Sequence, residues 1–212
     1  MSGRLYTLCE GKRDKFFLAR LLRERLGTET RLYDMKDLDE LIRNQRFSGV
    51  AIVDCGGWNE MLKQASKRAR DITVNPSELP SATLIIIGDE DHVSVFNFAN
   101  HYLRNEIERL KSTSKFLEYE IENEMVMVKN LRRAVNTKVV VLTIPNNLES
   151  QISNSIKNHN QGFREYGDKR VINLYCEELY GCDEERMMKE DREVIPPLFD
   201  TEWSKNIVKH VN

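Results

Sequence analysis

Residues 5–22, LYTLCEGKRDKFFLARLL, change character halfway along. Residues 5–9 suit a buried strand and run into Glu10 and Gly11. From Lys12 onward Phe17, Leu18, Leu21, Leu22 and Leu26 recur on one side of a helix, which Gly27 stops. A strand passing into a helix through an acid and a glycine is the opening unit of an alternating chain. A second acid, Asp14, stands one helical turn after the first.

The same alternation continues outward from this unit. Residues 31–35 suit a short strand, and 38–44 a short helix introduced by Asp37. GVAIV at 49–53 reads as a buried strand, followed by Asp54 and a helix over about 58–72. Pro76 and Pro80 mark a loop before ATLIII at 82–87, the most apolar strand, and VVVLTI at 139–144 is another, closed by Pro145. Continuous apolar strands alternating with helices predict an α/β fold, a parallel sheet covered on both faces.

Residues 93–135 read as a long helical insertion with a break near 112–114. Phe98, Tyr102, Leu103, Ile107, Leu110, Leu117, Ile121 and Leu131 form its packing stripe. Such a stretch either lies on its own domain or pairs two chains into a homodimer, and its charged remaining faces lean slightly toward the second role. Residues 148–156, 171–180 and 202–211 are helical by pattern. The expected organisation is an α/β domain over 1–156 carrying the insertion at 93–135, with a helical C-terminal extension, 157–212, packed on it.

A chain of 212 residues can bury a sizeable core in one large domain. Hydrophobic residues at 40%, charged residues at 31% and a mean hydropathy of −0.55 predict a soluble globular protein. No apolar run approaches the roughly 20 residues that span a bilayer. The segment MSGRLYTLCEG lacks the apolar region of a signal peptide, so a cytoplasmic location is expected and no membrane partner. With 32 basic and 34 acidic residues the net charge of −2 neither requires nor excludes nucleic acid, because local clustering decides phosphate binding. Cys9, Cys55, Cys176 and Cys182 form no CxxC pair, which speaks against zinc and for reduced thiols. GxGxxG is absent after the first strand, which counts against a dinucleotide site.

In an open parallel sheet, ligands bind beyond the carboxyl ends of the strands. Those ends carry Glu10, Asp54, the run Gly88-Asp89-Glu90-Asp91, and the segment PNNLE at 145–149. Parallel strands would bring Glu10, Asp89, Asp91 and Glu149 to one rim, with Asp14 facing the same space. Crowded carboxylates repel one another and raise each other's pKa. A hard divalent cation relieves that repulsion, and Mg2+ is held by a few carboxylates together with waters and substrate phosphates. Mn2+ can substitute, and either ion can activate water and neutralise charge on a phosphate. Lys12, Arg13 and Lys15 sit beside these acids, and Lys12 can hold a phosphate oxygen. Lys63, Lys67, Arg68 and Arg70 read better as a solvated helix face. His92 either assists a phosphate or begins the next helix, the commoner role, and Asp54 with Gly56 and Gly57 reads as a turn.

The EG-x-x-D element at 10–14, with a DxD at 89–91 after a later buried strand, resembles the TOPRIM domain shared by topoisomerases, bacterial primases and small nucleases. The resemblance implies that Glu10, Asp89 and Asp91 bind Mg2+ and carry catalysis, with Asp14 and Glu149 completing or extending the metal site. Asp14 and IPNNLESQI at 144–152 look most like the nuclease branch, which includes the overcoming-lysogenisation-defect nucleases. There the acid of a Leu-Glu pair contributes to a second metal site, and Leu148-Glu149 matches it by position. The activity this resemblance implies is that of a Mg2+-dependent nuclease acting on DNA or RNA.

The resemblance covers roughly residues 4–156. It departs from the family in the missing glycine after the DxD, where His92-Val93-Ser94 stands, and in an extra strand and helix between the two motifs. No GxxxxGK[ST] is present, so an ATPase function of the overcoming-lysogenisation-defect kind would come from a partner protein. Tyr6 and Tyr33 read as sheet packing, which disfavours strand passage, and no zinc module precedes the domain as in primases. The alternative is a non-catalytic TOPRIM-like module that binds nucleic acid or protein and dimerises through the helical insertion.

Overall fold

The computed structural model describes residues 4–37, 40, 49–74, 82–109, 116–133 and 135–211. Strand β1 (Arg4–Cys9) leads into α1 (Lys12–Leu26), then β2 (Thr30–Asp34), β3 (Val50–Asp54), α2 (Trp58–Val74) and β4 (Ala82–Asp89). A helical stretch, α3, comes next as Val95–Asn97, the wider-wound Phe98–Leu103, and Arg104–Arg109. It is succeeded by β5 (Leu117–Glu122), β6 (Met125–Asn130) and β7 (Val135–Ile144). The chain ends in α4 (Leu148–His159), α5 (Asp168–Tyr180), α6 (Glu184–Glu190) and α7 (Glu202–Val211). The short helix expected at 38–44 falls, apart from Glu40, outside the described residues.

One sheet of seven strands runs in the order β2-β3-β1-β4-β7-β6-β5. The first five pair in parallel, and β6 and β5 extend the sheet antiparallel. Side chains alternate strictly between two cores, as the two-residue period of a strand requires. Cys9, Val50, Ile52, Ile85, Ile87, Val140 and Leu142 point to one side, where α1 and the C-terminal helices cover them. Tyr6, Leu8, Ala51, Val53, Leu84, Ile86, Val139 and Val141 point to the other, under α2 and α3. Burial on both faces is why these strands are apolar at every position instead of every second one.

The C-terminal helices pack on α1 and the sheet. Phe17 of α1 meets Phe199 at 5.5 Å and Trp203 at 5.4 Å between ring centroids, and Arg20 donates to the carbonyl of Met188 at 3.2 Å. The polar centre of this layer is Asp191, which is 1% exposed. It accepts hydrogen bonds from the hydroxyls of Tyr175 (2.7 Å) and Tyr180 (2.9 Å) and from the N–H groups of Glu193, Val194 and Ile195. Burial opposes ionisation of this carboxyl, but the donated hydrogen bonds outweigh it and hold its pKa below the ordinary value.

The expectation of one long helical insertion over 93–135 is corrected. The described helix runs to Arg109, residues 110–115 with the expected break near 112–114 fall outside the described residues, and residues 117–130 form the β5–β6 hairpin, with Asn123 in its turn at φ 53°. Leu117 and Ile121 stand four apart, a spacing that a helix face and a strand face both satisfy. The run MVMVKN decides between them, because its burial alternates at every residue. Asn130 anchors the hairpin by donating to the carbonyl of Thr73 at 2.9 Å. A helical dimerisation arm therefore has no counterpart among the described residues.

Replacing Asp191 with Ala leaves five donors without their acceptor. Urea unfolding at neutral pH should show a loss of about 3 kcal/mol. Because the folded pKa is depressed, the native carboxylate stabilises the fold above the unfolded carboxyl range, near pH ~4. That stabilisation disappears as pH falls through the folded value, so the variant should lose part of the acid-induced weakening as well.

Candidate functional site

Strands β1 and β4 are neighbours, yet the helices that come after them lie on opposite faces of the sheet, α1 on one and α3 on the other. This leaves a crevice beyond their carboxyl ends, the usual ligand position of an open α/β sheet. Glu10 enters it from β1 and Asp89 from β4.

The backbone fixes both acids. Cys9 and Glu10 accept through their carbonyls from Cys55 N–H (3.0 Å) and Gly57 N–H (2.7 Å), tying the end of β1 to the turn after β3. Gly56 and Gly57 have φ of 72° and 134°, and Asp54 accepts from Gly56 N–H at 3.0 Å, so this segment is the turn its glycines predict. Glu10 Oε1 accepts from the backbone N–H of Asp89 at 3.0 Å. Gly88 makes that approach feasible. A Cβ there would lie 2.7 Å from Glu10 Oε1 and 2.5 Å from Val93 Cγ2.

Asp14 caps the start of α1 from its first turn, its Oδ2 accepting from Gly11 N–H at 2.9 Å. Burial pushes its pKa up to about 7, the Gly11 N–H opposes, and the charges of Asp89 and Glu10 push further. Asp89 is pushed up to about 6, first by burial and then by the charge of Glu10, with the N–H of Leu148 at the start of α4 acting against them. Among the described residues no Lys or Arg forms an ion pair with Glu10, Asp14 or Asp89.

The third side chain is His92. Hydrogen bonds from His92 and Val93 N–H to the carbonyl of Asp89, both 3.0 Å, turn the chain back toward β1. The ring lies flat on Trp58, with centroids 5.3 Å apart and planes at 12°. Its Nδ1 is 3.8 Å from Glu10 Oε2, and its Nε2 is 3.7 Å from Asp91 Oδ2. One donor atom each from Glu10, Asp89 and His92 falls within 4.8 Å of the others, a grouping able to hold a metal ion.

The remaining sequence-predicted residues are placed differently. Asp91 is exposed and faces His92 from outside. Glu149 is committed to Arg13 at 2.5 Å, and Arg13 also pairs with Glu184 at 2.9 Å. The Leu-Glu element thus reaches the site through the Leu148 N–H, while its carboxylate serves an ion pair between helices. Lys15 is paired with Asp34 at 2.7 Å and lies 3.8 Å from Asp54. Lys12 is exposed on the first turn of α1, and no ion pair engages it among the described residues. On α2, Arg70 is held by Asp71 and Glu106, and Arg68 lies 3.7 Å from Asp71. Lys63 and Lys67 line a separate cavity of about 270 Å³ with His101, Tyr102 and Arg109. His92 is the residue to which sequence reading gave the lesser role; its signal was a histidine standing directly after the DxD.

No protein-family model and no curated protein matches this chain. Its fold is similar to that of the hypothetical protein PH0156 from Pyrococcus horikoshii OT3, known from a crystal structure. The two align over 99% of each chain with a TM-score of 0.64 and 15% sequence identity, a likeness of fold alone. Among the described residues no helix is long and apolar enough to cross a membrane.

Two outcomes test this electrostatic picture. Both raised carboxyls bind protons more tightly in the folded chain than in the unfolded one. Their stabilising share is therefore complete below about pH 4 and is lost as pH rises through about 6 and 7. In metal-free buffer near pH ~8, Asp14→Asn should raise the unfolding free energy by about 1–2 kcal/mol and flatten the profile across that range. Gly88→Ala should cost about 1–3 kcal/mol in urea unfolding, through overpacking against Val93 and displacement of Glu10.

Proposed function

We propose that this protein is a Mg2+-dependent, TOPRIM-type nuclease that cleaves phosphodiester bonds of DNA or RNA at the crevice between β1 and β4. The observation that carries the reading is the meeting there of Glu10 and Asp89, far apart in the chain, with no Lys or Arg paired to either among the described residues and only the His92 ring beside Glu10. Their environment fits a cation. Two desolvated carboxylates in contact range repel, and a divalent ion offsets both the repulsion and the lost hydration. Glu10 and Asp89 would hold it. When bound, Mg2+ supplies a Lewis acid that polarises a phosphoryl oxygen and makes water a better nucleophile.

The chain's own groups complete the site. Glu10 and Asp89 are preorganised by the Asp89 and Leu148 N–H groups, so little reorganisation accompanies binding. Asp14 keeps Oδ2 on the Gly11 N–H, and its other oxygen would extend the metal site. Lys12, exposed at the same rim, is the basic side chain available to a phosphate, because Arg13 and Lys15 are engaged by carboxylates. We read the setting as cytoplasmic, where four unbridged thiols are stable. An ATPase partner remains part of this reading.

The test is cleavage of plasmid and single-stranded DNA and of RNA with Mg2+ or Mn2+. Glu10→Ala and Asp89→Ala should each lower the rate by about 100-fold or more, in line with the loss of charge stabilisation at a reacting group. Cleavage that persists in both variants would reject the site.

A further inference from the structure

The DxD pattern, taken alone, assigns Asp89 and Asp91 the same role, but the side chains do not share a position. Asp91 is 65% exposed and meets the outer nitrogen of His92, Nε2. The inner nitrogen, Nδ1, faces Glu10 Oε2 at 3.8 Å and is buried with no hydrogen-bond partner. The imidazole thus stands between the two acids, and its plane is set by the stack on Trp58.

We propose that the site is a mixed carboxylate–imidazole centre for a divalent cation, with Glu10, Asp89 and His92 Nδ1 as ligands and Asp91 as the outer partner of the histidine. The proposal rests on the metal-dependent reading above and changes which atoms bind and which ion is preferred. Donors bound about 2.1 Å from one ion stand roughly 3–4 Å apart. The observed spread of up to 4.8 Å therefore needs only a small inward rotation. A metal-bound histidine ordinarily gives its second nitrogen to a carboxylate, which fixes the tautomer and raises its basicity; Asp91 is placed to receive it. Imidazole is a poor partner for Mg2+ and a good one for first-row transition ions, so Mn2+ should bind ahead of Mg2+. His92 occupies the place where the resemblance expects no ligand, and the aromatic shelf of Trp58 holds it there.

The experiment uses the full chain with Mn2+ alone, tracking binding by electron paramagnetic resonance and reading ligand nitrogen by electron spin echo modulation. The expected result is a bound Mn2+ with ¹⁴N modulation. His92→Gln should abolish that modulation and weaken Mn2+ by about 10-fold or more while changing Mg2+ affinity by less than about 3-fold. Asp91→Asn should keep the nitrogen signal and weaken Mn2+ by about 10-fold. If Mn2+ binds without nitrogen modulation and is lost on Glu10→Gln, the imidazole assignment is wrong and the all-carboxylate site stands. If neither Mn2+ nor Mg2+ binds, or binding survives both Glu10→Gln and Asp89→Asn, the metal reading itself is overturned. The nitrogen signal of the unaltered chain needs no variant to fold.

Discussion

The contact on which the site depends is a single hydrogen bond, from the backbone of Asp89 to the carboxylate of Glu10. It joins the ends of two strands that are adjacent in the sheet and separated by 79 residues along the chain. Parallel pairing of β1 with β4 aligns Cys9 with Ile87, so the residues just beyond the pairing fall side by side. Gly88 then allows the Glu10 side chain to fold across the end of β4. The strand pairing, the glycine and the hydrogen bond together bring the two acids into one crevice.

Burial without a Lys or Arg partner distinguishes Glu10, Asp14 and Asp89 from the paired acids of the chain, although each accepts a backbone N–H. Asp34 has Lys15, Glu149 and Glu184 share Arg13, Asp168 has Lys157, and Asp191 has two tyrosines and three backbone donors. Where a partner or donor set is present, as at Asp34, Asp168 and Asp191, the carboxyl pKa is held below its usual value. Asp14 and Asp89 are the reverse, pushed toward neutrality by lost hydration and by neighbouring negative charge. Structural acids such as Asp34, Asp168 and Asp191 are neutralised from within the chain, and the acids of the crevice have no such ion pair with Lys or Arg among the described residues. This contrast supports a cation site, and the nuclease reading builds on it.

The elements of the sheet were legible because their faces are both buried. Runs such as ATLIII and VVVLTI cannot be exposed on either side, and the helix from Lys12 to Leu26 carries its apolar stripe and its glycine stop in plain view. The hairpin at 117–130 was not legible in the same way. It lies near the sheet's edge, where β5 has only Leu117 fully buried, and its charged positions imitate the solvent face of a helix. Glu10 and Asp89 could be picked out from strand ends alone. The fate of Glu149 could not, because its partner Arg13 lies 136 residues away and only the tertiary fold brings the two side chains together.

Sequence by itself determined that apolar strands alternate with helices, that acids stand at the carboxyl ends of β1 and β4, and that a glycine precedes the second of them. Period and composition are local properties, and local propensity is enough to express them. Tertiary structure alone decided which acids are paired and which are left buried together, that Asp91 stands outside and His92 inside, and that Trp58 supports the ring. Those outcomes arise from strand order and from helices crossing to opposite faces. Charge neutralisation and desolvation depend on distances of a few ångströms between residues that no local pattern relates.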